Sequence, residues 1–352
     1  MMPNLGRLRA RINQIGIAAL LPRLHCQQLS SQQWQQLVCV LLACGCHPQA
    51  LQNEQPLPMG VAETPSAACL LDELAAAAMS PRPGIDALRT VAERFGYPVH
   101  SPPWADLGEA VTDPRASRVR AAFHMTIALG DARLCRLQAR RSKDQQATDR
   151  DEAQRLLAEL LPLRAQLGRM AAQWLISLPG DVQPPGSDAE SRATLQQYIC
   201  AAGLEQIVRF LPVAAQGDGL ALATQRLVQA GCHTPTLTAW LGNYPQRSHP
   251  EVLADVLLPA AVEAVIDEAR RVQQSPAPSA RIARQRVAWL SDRTEEAALH
   301  MRMISRRFGY NSAPPWQQWS ASQPGISQRM VTIRNLAIRP GVLRPGLSID
   351  FP

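Results

Sequence analysis

Along most of this chain, apolar residues recur at spacings of three and four, and sustained alternation is nearly absent. That periodicity is the signature of helices with one buried face. It predicts helices over Leu5–Leu21, Ser31–Ala43, Cys69–Met79, Asp86–Arg94 and Arg115–Arg141 in the first half. In the middle, Leu156, Leu157, Leu160, Leu161, Leu163, Leu167 and Met170 line up at helical spacing, which predicts a long helix over Asp149–Leu178. The second half predicts helices over Ser191–Phe210, Leu220–Ala230, Glu251–Gln274, Arg281–Leu290 and Arg293–Arg307. Only Met330–Ile338 alternates enough to suggest a strand, and the proline-bearing tail Pro340–Pro352 reads as extended.

Composition points the same way. Aromatic residues make up only 5% of the chain, and Ala, Leu, Gln and Arg, all good helix formers, dominate. The fold class expected is therefore all-α.

Within that pattern the chain resembles itself. Arg94-Phe95-Gly96-Tyr97 followed by Pro102-Pro103-Trp104 matches Arg307-Phe308-Gly309-Tyr310 followed by Pro314-Pro315-Trp316. In a chain so poor in aromatics, this shared set is not a chance of composition. A second match lies upstream in each half: Gly45-Cys46-His47-Pro48 against Gly231-Cys232-His233-Thr234-Pro235. A third and looser one relates Arg11–Leu24 to Leu195–Leu211. The order is the same in both halves, so the sequence reads as two diverged tandem copies of one helical domain, the second longer between its anchors.

The expected organisation is a first repeat domain over 1–143, a connecting helix with a Pro/Gly-rich linker over 144–190, and a second repeat domain with a basic extended tail over 191–352. The linker itself is Pro179–Asp188, and a further break falls at Ser275–Ser279. Gly45 and Gly231 each follow an apolar helix and precede a proline, which predicts left-handed caps with Cys46 and Cys232 packed beside them.

Charge adds a partner class. The chain carries +7, and every basic residue except Lys143 is arginine. Arginine suits bidentate phosphate contacts, but the ratio is also the one that codon usage in a GC-rich genome predicts. The placement of the arginines says more. From Met1 to Asn53 there are arginines at 7, 9, 11 and 23 and no acid, and from Ala297 to Ile349 the arginines at 302, 306, 307, 329, 334, 339 and 344 again meet no acid. If the ends converge, they form a basic surface suited to an acidic partner such as nucleic acid or anionic lipid.

Candidate chemistry is thin. Cys39, Cys44, Cys46 and His47 cluster, but only the Cys-His pair recurs in the second copy and the spacing fits no zinc knuckle. Eight cysteines in a chain of this size do not form a disulfide framework. No nucleophile elbow, phosphate loop or dinucleotide fingerprint is present. The chain is accordingly read as non-catalytic and without metal or cofactor. No run of apolar residues is long enough to span a membrane, and the location expected is cytoplasmic.

Two functions follow. In the first, each Arg-Phe-Gly-Tyr turn belongs to a helix-turn-helix-like unit, with the small residues Ala92 and Ser305 four positions before the turn glycine. The basic contacts would come from Arg94, Arg302, Arg306, Arg307, Arg329 and Arg334, with Trp316 and Trp319 stacking on bases if exposed. In this setting Gly45, Phe95, Gly96, Tyr97, Trp104, Gly231, Phe308, Gly309, Tyr310 and Trp316 are structural anchors of the repeat. In the second, the chain is an adaptor or structural subunit of a larger bacterial assembly, such as a secretion or conjugation machine, and its helices meet other protein subunits.

Overall fold

The computed structural model describes residues 5–58, 67–79, 84–98, 102–104, 113–139, 146–177, 187–214, 219–242, 249–257, 279–317, 319, 330, 331, 333, 334 and 337. Among them every regular element is a helix, and the chain is all-α. Contacts divide it into two compact units, Met1–Thr126 and Ile127–Pro352.

The first unit opens with α1 (Leu5–Ile15) and α2 (Ile17–Leu20). Periodicity predicts one helix here, but Gly16 takes φ 83° and turns the chain between them. Its amide still bonds to the Ile12 carbonyl at 2.8 Å, and Ile12 and Ile17 are buried on either side. Helical spacing runs through the break, which is why the pattern conceals it. Next, α3 (Ser31–Ala43) starts with a capping box between Ser30 and Gln33 and buries Trp34, Val38 and Leu41 on one face. A short α4 (Pro48–Gln52) follows, then α5 (Leu71–Ala78) packs on α6 (Ile85–Arg94), and α6 on α1. Ile85, Leu88, Val91 and Ala92 form the buried face of α6. Ile85, Leu88 and Val91 each contribute about 1.5–3 kcal/mol by leaving water.

Helix α7 (Pro114–Ala139) carries the boundary between the units. In the second unit α8 (Gln146–Ser177) packs on α9 (Ser187–Ala202), α10 (Leu204–Ala214) and α11 (Gly219–Gln229). The α8–α10 crossing is close because Gly168 has no side chain: a Cβ there would lie 2.9 Å from the Gln206 carbonyl carbon. Leu160, Leu163, Leu167, Met170, Ala171 and Trp174 form the buried face of α8, whereas Leu157 and Leu161 point outward. As in the first unit, one predicted helix is two: Gly203, at φ 91°, separates α9 from α10.

The remaining elements are α12 (Thr234–Leu241), a 3-10 turn at Pro250–Leu253 leading into α13 (Ala254–Leu257), and α14 (Ala280–Arg307). The two helices predicted over Arg281–Leu290 and Arg293–Arg307 are one continuous α14, capped by Ser279. The strand predicted over Met330–Ile338 is not formed: Met330, Val331, Ile333, Arg334 and Ala337 are helical, with Met330, Ile333 and Ala337 buried. Its apolar positions at 330, 333 and 337 fit helical spacing better than alternation. Most of the predicted linker, the later part of Glu251–Gln274 and the tail Pro340–Pro352 lie outside the described residues. No helix among the described residues is long and apolar enough to cross a membrane.

Candidate functional site

The matched motifs of each half build one compact arrangement, formed separately in each unit. In the first unit α3 ends at a left-handed Gly45, φ 93°, with the Cys46 amide bonded back to Leu41 at 3.0 Å. This is the cap that the sequence predicts. Leu70 closes over the glycine so tightly that a Cβ would lie 2.8 Å from its Cγ. Helix α6 ends the same way: Gly96 has φ 81°, and the Tyr97 amide bonds to Ala92 at 3.0 Å. The two caps then join. The His47 amide donates to the Phe95 carbonyl at 2.9 Å, and the His47 ring stands edge-on to Tyr97 with centroids 5.0 Å apart. The His47 imidazole also caps α4, its Nδ1 accepting the Gln49 amide at 3.2 Å.

A third glycine completes the arrangement. The bare face of Gly96 lies against Ala50 and Ile17, the latter directly after the Gly16 break. Arg94, one residue before Phe95, reaches back to this break, where Nη1 donates to the Asn13 carbonyl at 2.7 Å. That carbonyl is at the C-terminal end of α1, where helix carbonyls lack intrahelical partners.

The second unit repeats the backbone contacts of this arrangement, with its histidine paired differently. Gly231 (φ 100°) and Gly309 (φ 91°) hold the caps, with Cys232 bonded to Leu227 and Tyr310 to Ser305, both at 3.1 Å. The His233 amide donates to Phe308 at 2.9 Å, and the His233 ring lies 4.7 Å from Tyr310. Leu253 closes over Gly231, and Gly309 rests on Thr236 and on Leu204, which follows the Gly203 break. Thr236 donates its hydroxyl proton to the Gly309 carbonyl at 2.8 Å, so its oxygen is left to accept from His233 Nδ1 at 3.0 Å. Burial holds the His233 pKa below its ordinary value. Arg307 takes the place of Arg94, its Nη1 donating to the Cys200 carbonyl before the break.

The largest difference between the units is a charge contact. In the second, Asp131 of α7 is 2% exposed and meets the Arg307 guanidinium with both oxygens, at 2.6 and 2.8 Å. Arg164 of α8 donates to the same carboxylate at 2.5 Å. Such forked pairing is the strongest form of side-chain charge contact. In the first unit Arg94 is exposed and, among the described residues, pairs with no carboxylate.

The residues expected to contact nucleic acid therefore scatter. Arg302 and Arg306 are exposed on one face of α14, where Arg302 also donates to the Ala337 carbonyl at 3.3 Å. Arg334 is half-buried, Arg307 is turned inward, and Arg329 lies outside the described residues. Trp316 and Trp319 are 3% and 2% exposed, so neither ring offers a face to a base. Pro315–Gln317 forms a short 3-10 turn with Pro315 and Trp316 buried. The anchors Phe95, Tyr97, Trp104, Phe308 and Tyr310 are all buried, with Trp104 edge-on to Phe123 at 5.9 Å.

Sequence reasoning missed Gly16, Gly203, Asp131 and Arg164. The shared pattern Ile12-x-x-x-Gly16-Ile17 and Ile199-x-x-x-Gly203-Leu204 could have revealed the glycines. Nothing local marks Asp131 or Arg164, which meet Arg307 only across the fold.

Cys46 and Cys232 are fully buried, and burial pushes both thiols up. Among the described residues, no His, Cys, Asp and Glu side chains gather as a metal-binding group. No protein-family model, curated protein or solved structure matches the chain. Chemically, this arrangement fastens helix ends to one another and presents a guanidinium edge to a carboxylate.

Proposed function

We propose that this protein is a non-catalytic helical adaptor, built by tandem duplication of one domain, that docks helices of partner proteins. The observation that carries this reading is the repeated guanidinium: Arg94 and Arg307 grip the same carbonyl position before a turn glycine, and at Arg307 a helix completes the contact with Asp131. What recurs between the halves is thus a device for joining helices, and its histidines and cysteines serve caps and core. Shared helical frames of this kind suit an adaptor or structural subunit of a bacterial assembly.

The test is purification of the full chain from its own cells after mild cross-linking. The reading expects a stoichiometric protein partner that survives nuclease treatment. Recovery of the chain alone, or only with nucleic acid, overturns it.

A second reading, nucleic-acid binding, is favoured by one observation: Arg302 and Arg306 stand one turn apart on the exposed face of α14, without a carboxylate partner among the described residues. Phosphate contact needs only such a basic face. Binding to mixed-sequence DNA or RNA that weakens steeply with salt, and that Arg302→Ala with Arg306→Ala removes, would replace the adaptor reading with this one.

A further inference from the structure

The two units solve the same packing problem, and the difference at the motif arginine defines a site. In the second unit both terminal nitrogens of the Arg307 guanidinium are engaged. Nη1 serves the Cys200 carbonyl and Asp131 Oδ2, Nη2 serves Asp131 Oδ1, and the carboxylate belongs to α7. The same stretch of α7 touches α14 again through Arg136 and Glu296 at 3.4 Å, so a helix lies along this face.

In the first unit Arg94 is held by the matching bond to Asn13, which fixes the guanidinium and leaves the edge that Arg307 gives to Asp131 without a carboxylate among the described residues. Around it the exposed positions of α1 and α6 include the small side chains of Gly6, Ala10 and Thr90 among the longer Arg7, Arg11, Gln14, Arg89 and Glu93. Small side chains let a second helix approach closely, and a fixed guanidinium loses little entropy when it pairs.

We propose that the α1–α6 face of the first unit is a docking site for a helix of a partner protein that presents a single carboxylate to Arg94, as α7 presents Asp131 to Arg307. The proposal rests on the adaptor reading and names its contact point. The occupant follows from charge complementarity and from the occupant of the matching face. The bond formed is a forked, charge-assisted hydrogen-bond pair, of the kind whose loss weakens binding by about 10–100-fold.

The probe is a synthetic peptide copying residues 127–139 of this chain, held helical by a hydrocarbon staple, and tested on the full-length protein by fluorescence anisotropy. Its carboxylate-free form carries Asp131→Asn. The expected result is saturable binding that falls at least 10-fold with the Asn peptide or with Arg94→Ala in the protein, and is partly restored by Arg94→Lys. Arg302→Ala should leave it unchanged. A photo-crosslinking residue replacing Thr90 should capture the peptide.

Peptide binding that ignores Arg94, or no binding at all, overturns the site. Arg94→Ala abolishing binding of mixed-sequence RNA or DNA, while the peptide is indifferent to it, overturns the site in favour of a phosphate contact. The adaptor reading fails separately: it falls if no stoichiometric protein partner is recovered from cells, whatever the peptide does. If a partner is recovered equally well by Arg94→Ala, the adaptor stands and this site does not.

Discussion

Arg307 holds Asp131 with both terminal nitrogens of its guanidinium, Nη1 to Oδ2 at 2.6 Å and Nη2 to Oδ1 at 2.8 Å. Arg164 closes the other side of the carboxylate at 2.5 Å, and Asp131 is shut off from water. Two cations thus depend on one buried anion. Removing that anion leaves both guanidinium groups short of a partner in a low-dielectric setting, a loss worth about 3–5 kcal/mol. Asp131→Ala should therefore lower the urea midpoint sharply. Combining Asp131→Leu with Arg307→Met and Arg164→Met should recover most of the loss, because the buried charges leave together. A triple variant no more stable than Asp131→Ala would show that the cluster does not act as a unit.

The turn glycines allow a graded test. Gly96 and Gly309 both have positive φ, at 81° and 91°. An alanine is strained at either, at a cost of about 1–3 kcal/mol. Their surroundings differ. A Cβ at Gly96 would overlap the Ala50 side chain, whereas at Gly309 it would lie 3.1 Å from Thr236 Cβ and 3.2 Å from a Leu204 methyl. Gly96→Ala should therefore destabilise more than Gly309→Ala in equilibrium unfolding. The reverse order, or two neutral substitutions, would contradict this account of the joint between the caps.

Acid should loosen the first unit through His124. Burial, with Arg120 nearby, holds this imidazole down to about 4 from an ordinary 6.5. Between those values the unfolded chain binds the proton that the folded chain refuses. Stability therefore rises with pH across that window, is fully present above it, and is lost as pH falls toward 4. The largest slope from one such group is about 1.4 kcal/mol per pH unit. His124→Leu should flatten the decline in urea midpoint between pH 6.5 and 4. Parallel curves for variant and parent would remove His124 as its source.

Much of the fold was legible because local rules decide it. The caps at Gly45 and Gly231 follow from a glycine after an apolar helix, and the long α8 from its leucine spacing. Two breaks were hidden because Gly16 and Gly203 change direction without interrupting helical periodicity. The supposed strand at Met330 failed because a short apolar run fits either period. The site was less legible for a different reason. Arg94 and Arg307 are identical in their motifs, yet one is exposed and the other turned onto Asp131, a partner 176 positions away. A distant carboxylate leaves no trace in the local pattern. Trp316 and Trp319, rare aromatics among arginines, looked like a stacking surface for the same reason: a motif does not reveal which face the fold covers.

That burial separates stability from binding in a measurable way. Trp316 fills the core at 3% exposure, so Trp316→Ala should cost about 3–5 kcal/mol by the cavity it leaves. Arg306 is exposed and, among the described residues, has no carboxylate partner, so Arg306→Ala should change the unfolding free energy by no more than about 0.5 kcal/mol. If the exposed face of α14 contacts phosphate, the double variant Arg302→Ala with Arg306→Ala should reduce the slope of log affinity against log salt by about 2, while stability falls only by the lost Arg302–Ala337 hydrogen bond, about 1 kcal/mol. Trp316→Phe, which keeps the core filled, should leave that slope alone. If Trp316→Phe instead lost nucleic-acid affinity without losing stability, the indole would have to reach the ligand, and its buried placement would be wrong.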